Sequence, residues 1–564
     1  MLSTYEFPEY SYCRSPDQDA AEPVHHAVIV VGAGPVGLAA GLDCALQGID
    51  ALVLDDNNTV SVGSRAVCYA KRALEVLDRL GCGQRMVDKG VTWNVGKVFF
   101  KERKVYEFDL LPEKSQHRPG MINLQQYYLE EYMVDRAGEV DGLDLRWKNR
   151  VTAVEHSPER VIVTVQTPDG AYRMSCDYLI AADGANSDLR AMLGLESRGQ
   201  IFEDRFLIAD VVMKADFPPE RWFWFDPPFH PNQSTLLHRQ ADDVWRIDFQ
   251  LGWDADPEEE SRPENVLPRV RAMLGDEREF ALEWCSVYTF TCRRMDSFRH
   301  GDGRVLFVGD AAHQVSPFGA RGANSGIQDS DNLAWKLRLV LDGRAPDSLL
   351  DSYSEERVFA AAENLLNSTR STDFITPKSA ISRAFRDATL LLSERYPFAR
   401  SLVNSGRLSV PAVLSESSLN TPDEDEFCGD MVPGAPSYDA PIAVDGEPGW
   451  LLDRLGFAFK ALYFADGPAG VGDAALAAMA GLARGDIPIE TLIVSAAPVA
   501  GGELPDGVSA IEDVDGLLRQ RFDARPGSTY LLRPDQHVCA RWRALDAGKL
   551  AAALARATGQ SADG

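Results

Sequence analysis

The feature that most limits how this chain can fold is Gly32-Ala33-Gly34-Pro35-Val36-Gly37. It lies between an apolar strand, Ala27-Val28-Ile29-Val30-Val31, and an apolar helix ending near Leu46. A second apolar run, Ala51-Leu52-Val53-Leu54, follows and ends at Asp55. Strand, helix, strand in this order is a βαβ unit, so an α/β fold with a parallel sheet is expected. Gly32 makes the turn, Gly34 lets the backbone approach a pyrophosphate, and Gly37 permits close helix–strand packing. Gly32, Gly34, Pro35 and Gly37 are the expected dinucleotide contacts. Asp55, at the end of the second strand, stands where a ribose hydroxyl is bound. A plain tight turn is the competing reading of such a loop, and strand, helix and acid together weigh against it.

A second run narrows the ligand. Arg304-Val305-Leu306-Phe307-Val308-Gly309-Asp310 is an apolar strand ending in a glycine and a carboxylate. Ser316-Pro317-Phe318-Gly319-Ala320-Arg321-Gly322-Ala323-Asn324 then leads into a helix near Ala323. Gly309 allows close backbone approach, and Asp310 suits a polyol hydroxyl. Pro317 and the small residues after it let N–H groups face a ring system. The positive end of the helix can hold an electron-rich edge. These parts specify a flavin site rather than a nucleotide site alone. His313 reads as a structural hydrogen-bonding residue of this loop. Two shorter motifs say less by themselves. Gly63-Ser64-Arg65-Ala66 precedes a helix, and Arg65 suits a phosphate, a flavin edge or plain solvent. Asp183-Gly184, after the strand Tyr178–Ala182, reads alone as an ordinary turn.

Composition removes other classes. The formal charge of -28 argues against a general polyanion binder, so no nucleic-acid partner is expected. Nine cysteines, none in Cys-x-x-Cys spacing, fit reduced thiols and a cytoplasmic setting. No apolar run reaches the ~18 residues of a membrane span, and no membrane partner is expected. The histidines show no metal spacing, so no metal is expected. Residues 1–24 read as an arm that either wanders or packs on the surface.

In this order the four motifs resemble the class A flavoprotein monooxygenases, the aromatic hydroxylases related to para-hydroxybenzoate hydroxylase and phenol hydroxylase. The resemblance covers about residues 1–400 and implies FAD as cofactor, with NADPH or NADH and O2 as co-substrates. It assigns Gly32, Gly34, Gly37 and Asp55 to the ADP half of FAD, and Ser64, Arg65 and Gln126 to further contacts. Gln125 beside Gln126 leaves that assignment open. Asp183 falls near FAD and the reductant, Gly309 and Asp310 on the ribityl and pyrophosphate part. Pro317, Arg321, Gly322, Ala323 and Asn324 fall beside the isoalloxazine. Two departures stand out: Arg321 in the ring loop, suited to negative charge on the reduced ring or to NAD(P)H, and Asp55-Asp56 where the family often has Glu and a basic residue. The implied reaction hydroxylates a small aromatic substrate, phenolic and possibly carboxylated, through a flavin C4a-hydroperoxide.

The implied architecture is a Rossmann-like FAD domain (25–204 and 295–400) with an inserted mixed β-sheet substrate domain (205–294). A linker (401–440) and a thioredoxin-like domain without Cys-x-x-Cys (441–564) follow. The tail's expected role is packing or dimerisation, and a homodimer is expected. Within the insert, a hairpin about Ala241-Asp242-Asp243 places Arg246, Asp248 and Gln250 on one face, with His238 and Gln240 in matching parity. Polar groups on an inward face need a reason. Asp248 and His238 are therefore the candidate bases, and Gln240, Gln250 and Trp224 candidate substrate contacts, with Arg246 nearer the cofactor. A solvated face is the competing reading. Rival functions are epoxidation or Baeyer–Villiger oxidation of a larger polycyclic substrate, and a non-catalytic flavin-bearing interaction protein. A halogenase is weaker, because Phe225-Asp226-Pro227 breaks its Trp-x-Trp-x-Ile-Pro motif.

Overall fold

The protein is described by a computed structural model covering residues 3–403, 409–467, 471–497 and 504–560. The strand Val24–Val31 lies parallel to both Ala51–Leu54 and Gly170–Ala181. Val305–Phe307 adds parallel beyond Gly170–Ala181, and Leu143–Arg146 beyond Ala51–Leu54. β-branched and leucine side chains fill both faces of this sheet, as a doubly covered parallel sheet requires. All these strands run the same way, so Gly32, Asp55, Asp183 and Gly309 come off one edge. In open α/β sheets that carboxyl edge is where ligands sit.

A second sheet has eight strands. In spatial order they are His313–Gln314, Ala281–Arg294, Arg198–Val212, Val244–Leu251, Ser234–Arg239, Arg221–Phe225, Val95–Phe100 and Arg103–Asp109. The expected hairpin is present. Asp242 and Asp243 make its turn at φ 60° and 55°, a left-handed pair that suits a two-stranded reversal. The insert is wider than 205–294, because the sheet begins at Arg198 and recruits Val95–Asp109 from the first domain.

The C-terminal sheet has seven strands, with Phe459–Phe464, Ile489–Ser495 and Val508–Glu512 parallel at its centre. The stretch expected as a linker packs against it: Leu414 and Leu419 are buried, and Arg541 holds Asp423 through two bonds of 2.9 and 2.6 Å. A buried charge network docks this unit on the FAD domain. Arg533 pairs with Asp535 at 2.6 Å and with Glu356 at 2.5 Å, and Lys336 reaches Glu356 at 2.8 Å. Burial works against the Glu356 charge, but Arg533 and Lys336 hold its carboxyl well below the usual range. The N-terminal arm packs on the surface: Tyr5 stacks on Tyr127 at 4.1 Å and Tyr10 on Trp147 at 4.7 Å. Among the described residues no helix is long and apolar enough to cross a membrane, and no metal-ligating cluster occurs.

Candidate active site

At Gly32 the chain turns with φ 107°, and its N–H donates to Leu54 O at 2.8 Å. A Cβ there would overlap the Ala182 carbonyl, and one at Gly37 the Gly32 carbonyl; the space beside Gly34 is open. Gly34 precedes the helix Pro35–Leu46, so free N–H groups of its first turn face that open side. Asp55 accepts from Ala33 N at 2.6 Å and Asn57 N at 2.8 Å. Burial raises its carboxyl, and those two amides oppose the rise.

The other strand ends converge on the same loop. Asp183 accepts from Leu189 N at 2.9 Å, while its buried Oδ1 has no partner. Gly309 sits at φ 58°, and a Cβ there would press on Val36 of the glycine-loop helix. Asp310 is exposed beside it. Surrounding protein raises its carboxyl, with His313 and Arg65 pulling the other way. His313 bonds to Asp329 at 2.7 Å, and Asp329 also accepts from Gly309 N at 3.0 Å and Arg357 at 2.6 Å. His313 thus braces the Gly309 turn from behind.

Ser64 and Gln126 brace a loop. Ser64 Oγ accepts the Gln126 amide at 2.9 Å, and Gln126 Oε1 accepts from Ala66 N at 3.0 Å. Gln125 instead donates to Ala241 O. Arg65 is the exposed side chain of that loop. Pro317 opens a single turn, Pro317–Gly319, and Ala320 follows at φ 49°, a strained setting for a residue with a Cβ. Gly322 and Ala323 begin the helix Gly322–Leu341. Asn324 locks this loop to the strand Cys68–Ala70: its Oδ1 accepts from Ala70 N and its Nδ2 donates to Cys68 O, both at 2.8 Å. Arg321 is buried and donates to Asn364 Oδ1 at 2.7 Å. Its guanidinium thereby ties the loop to the helix Leu349–Ile375 behind it.

The substrate sheet turns one face to this loop. Register pairs Leu236 with Asp248, His238 with Arg246, Ser234 with Phe225 and Leu236 with Phe223. His238, Gln240, Arg246, Asp248 and Gln250 therefore share a face with Arg221, Phe223 and Phe225. Trp224 pairs with Thr235 and belongs to the opposite face, where it stacks on Phe99 at 5.0 Å. The expectation for Trp224 is thereby corrected, because strand parity sends it away from Asp248.

Within the polar face the roles separate. Arg246 bonds to Asp210 at 2.8 and 2.7 Å and to Ser64 O at 2.5 Å. Gln240 donates to Asp210 at 3.1 Å, and Gln250 accepts from Ser234 N at 3.0 Å. Four polar atoms remain buried without partners: Asp248 Oδ1, His238 Nε2, Gln240 Oε1 and Arg221 Nε. Arg221 is 3% exposed, and its bonding is Nη1 to Cys68 Sγ at 3.5 Å. His238 Nδ1 lies 3.9 Å from the same sulfur, so the face abuts the strand that Asn324 holds. Burial pushes Asp248 up to about 6 against the pull of Arg246 and Arg221. Burial, then Arg221 and Arg246, push His238 well down, so its imidazole is neutral. Arg221, Asp210 and Cys68 escaped the sequence reading. The one signal was an arginine in the aromatic strand Arg221-Trp222-Phe223-Trp224-Phe225.

Residues 25–368 match the FAD binding domain family and residues 444–557 the HcaD C-terminal domain. The chain is 32% identical over 368 residues to a 12-dehydrotetracycline 5-monooxygenase/anhydrotetracycline 6-monooxygenase of Streptomyces rimosus, covering 63% of this chain and 71% of that one. It is 25% identical over 542 residues to a 3-(3-hydroxy-phenyl)propionate/3-hydroxycinnamic acid hydroxylase of Mycolicibacterium smegmatis, covering 93% and 92%. Its fold is that of the flavin-dependent monooxygenase PieE in complex with FAD and substrate: TM-score 0.79, 22% identity, 96% of this chain and all of that one. Aklavinone-11 hydroxylase with FAD and aklavinone follows at TM-score 0.75, 21% identity, and 95% and 100% coverage. The open side of Gly34, the partnerless Asp183 oxygen and the exposed Asp310 carboxylate are chemically suited to FAD. The chain belongs to the FAD binding domain family of class A aromatic hydroxylases and is an FAD-dependent monooxygenase.

Proposed function

We infer that the protein hydroxylates a phenolic aromatic substrate held on the face of Arg221, His238 and Asp248. The observation that carries this reading is the set of partnerless buried atoms on that face. Leaving such groups unpaired is costly, and a polar ligand relieves the cost. FAD, reduced by NADPH or NADH, supplies the oxygen chemistry when bound. Asp55, Asp183, Asp310 and the amides after Gly34 would hold it, with the Pro317–Asn324 loop beside its ring.

The side chains then divide the remaining work. Asp248, raised to about 6, is tuned to accept the proton of a substrate hydroxyl, which makes the ring a better nucleophile. Neutral His238 offers Nε2 as a second hydrogen-bonding group to the same substrate. Arg221 suits an anionic substituent. Phe223 and Phe225 supply apolar contact, and Phe206 packs edge-on to Phe318 at 4.7 Å, keeping water from the loop. Gln240, Gln250 and Arg246 hold the sheet that presents these groups.

The test is NADPH and NADH oxidation by the FAD-loaded protein across neutral phenols, phenolic acids and polycyclic phenols of the tetracycline type. The relatives act on both single-ring and polycyclic compounds. Stimulation by a phenol with little hydrogen peroxide supports the reading. Stimulation only by non-phenolic ketones or alkenes would replace it with Baeyer–Villiger oxidation or epoxidation.

A further inference from the structure

The strand Cys68–Ala70 runs beside Met121–Asn123, with Cys68 opposite Asn123. Both side chains are buried. They stand between the ring loop and the substrate face: Asn324 donates to Cys68 O, while the Cys68 sulfur lies 3.5 Å from Arg221 Nη1 and 3.9 Å from His238 Nδ1.

A side-chain amide can be turned either way, and its partners decide which. Trp93 Nε1 is a donor only, and it donates to Asn123 Oδ1 at 2.8 Å. The Arg239 carbonyl is an acceptor only, and it accepts from Asn123 Nδ2 at 2.8 Å. Turning the amide over would set donor on donor and acceptor on acceptor, so Oδ1 also faces Cys68. The sulfur lies 3.2 Å from that oxygen, and the thiol gives its one hydrogen there. Burial raises the Cys68 thiol, against the pull of Arg221 and Arg246, so that hydrogen stays in place.

The sulfur then has only lone pairs for its other neighbours. Arg221 Nη1, always a donor, meets them with an N–H. A neutral imidazole carries one hydrogen, and the contact made by one nitrogen settles the state of the other. A bare Nδ1 would set its lone pair against those of the sulfur, whereas Nδ1–H meets them as a donor.

We propose that Cys68 is a positioning residue: it holds His238 as the Nδ1–H tautomer, and the bare Nε2 accepts a hydrogen bond from a second hydroxyl of the substrate. The second half rests on the phenolic reading above. Nε2 is buried and without a partner among the described residues. Asp248 is its diagonal neighbour on the same face, since His238 pairs with Arg246 and Leu236 with Asp248. Asp248 Oδ1 lacks a donor as well. One phenolic hydrogen cannot serve both acceptors, so a ring that satisfies this face carries two hydroxyls.

The test is nitrogen NMR of the FAD-loaded protein with isotopically labelled histidine, using His238→Gln to identify the signal among the nine histidines. The wild type is expected to carry hydrogen on Nδ1 and none on Nε2. Cys68→Ser, whose hydroxyl donates and accepts in the same places, should keep that pattern, and Cys68→Ala should add the Nε2–H form. Cys68→Ala should also lower kcat/KM about tenfold for a phenol with two hydroxyls, the effect of leaving a buried acceptor unpaired. Cys68→Ser should restore most of that loss. The same ring lacking one hydroxyl should be a poorer substrate of the wild type and change little in Cys68→Ala. Hydrogen on Nε2 in the wild type overturns the tautomer, as does an unchanged spectrum in Cys68→Ala. A ring with one hydroxyl that serves as well as its parent overturns the second hydroxyl. If no phenol is turned over, the functional reading falls, and the wild-type His238 spectrum still decides the tautomer.

Discussion

Arg246 and Asp210 lie opposite each other on adjacent strands and form a two-point ion pair, 2.8 Å from Nε to Oδ1 and 2.7 Å from Nη2 to Oδ2. Both are buried, and Arg246 also reaches Ser64 O at 2.5 Å. One arginine thus spans the substrate sheet and the loop that carries Arg65, and its charge is spent within the protein. Asp210→Asn is expected to cost about 3–5 kcal/mol, because it leaves a buried cation without a carboxylate. Thermal unfolding and FAD affinity, measured on one preparation, should fall together.

Asp248 links activity and stability with opposite signs. Its carboxyl keeps its proton up to about 6 in the folded chain, against an ordinary value of 3.8. Between those values the folded state binds more protons than the unfolded one, so stability declines as pH rises through that window. The charged form is disfavoured at higher pH, where it is needed as a base. Asp248→Asn is therefore expected to lower kcat about 10²–10⁴-fold while stabilising the fold by about 1–3 kcal/mol above the folded value. In the wild type, kcat/KM should fall as pH drops through about 6; a flat profile would remove Asp248 from the chemistry.

The glycine loop separates folding from binding. A Cβ at Gly37 overlaps the Gly32 carbonyl, whereas one at Gly34 meets nothing within 4 Å. Gly37→Ala should lower both melting temperature and flavin content. Gly34→Ala should fold normally and bind FAD more weakly, since its methyl group fills the space left for a pyrophosphate. Flavin absorbance and calorimetry on the two variants check this.

Arg221 is buried, and among the described residues no carboxylate lies within ion-pair distance of it. Arg221→Gln is expected to lower kcat/KM for a phenolic acid by about 1.5–3 kcal/mol of lost charged hydrogen bonding. The corresponding neutral phenol should change far less, and steady-state kinetics on the matched pair would show it.

The parts legible in the sequence were those made by consecutive residues. Gly32–Gly37 with Asp55, Gly309–Asp310 and the hairpin around Asp242-Asp243 each carry their geometry in local spacing. What the sequence concealed comes from long-range pairing. Nothing local says that Val95–Phe100 runs beside Arg221–Phe225, more than a hundred residues away. Strand parity puts Trp224 and Arg221 on opposite faces, but both faces of that strand are aromatic, so the sequence alone does not say which face turns to the site. Only the arginine, a charge that burial must justify, marks the inward side. Asp210 was hidden for the same reason: its partner Arg246 is fixed by register and by nothing nearby in the chain.

In the proposed reaction, oxygen from O2 is transferred to a phenolic substrate held by Asp248 and Arg221. The direct measurement is mass spectrometry of the product formed under isotopically labelled O2, with NADPH or NADH and the best phenol of the panel. The expected product is heavier by one labelled oxygen with the wild type, and is lost in Asp248→Asn that still binds FAD. A labelled product from Asp248→Asn at the wild-type rate would contradict it, as would FAD-loaded wild type that turns labelled O2 only into hydrogen peroxide with every phenol.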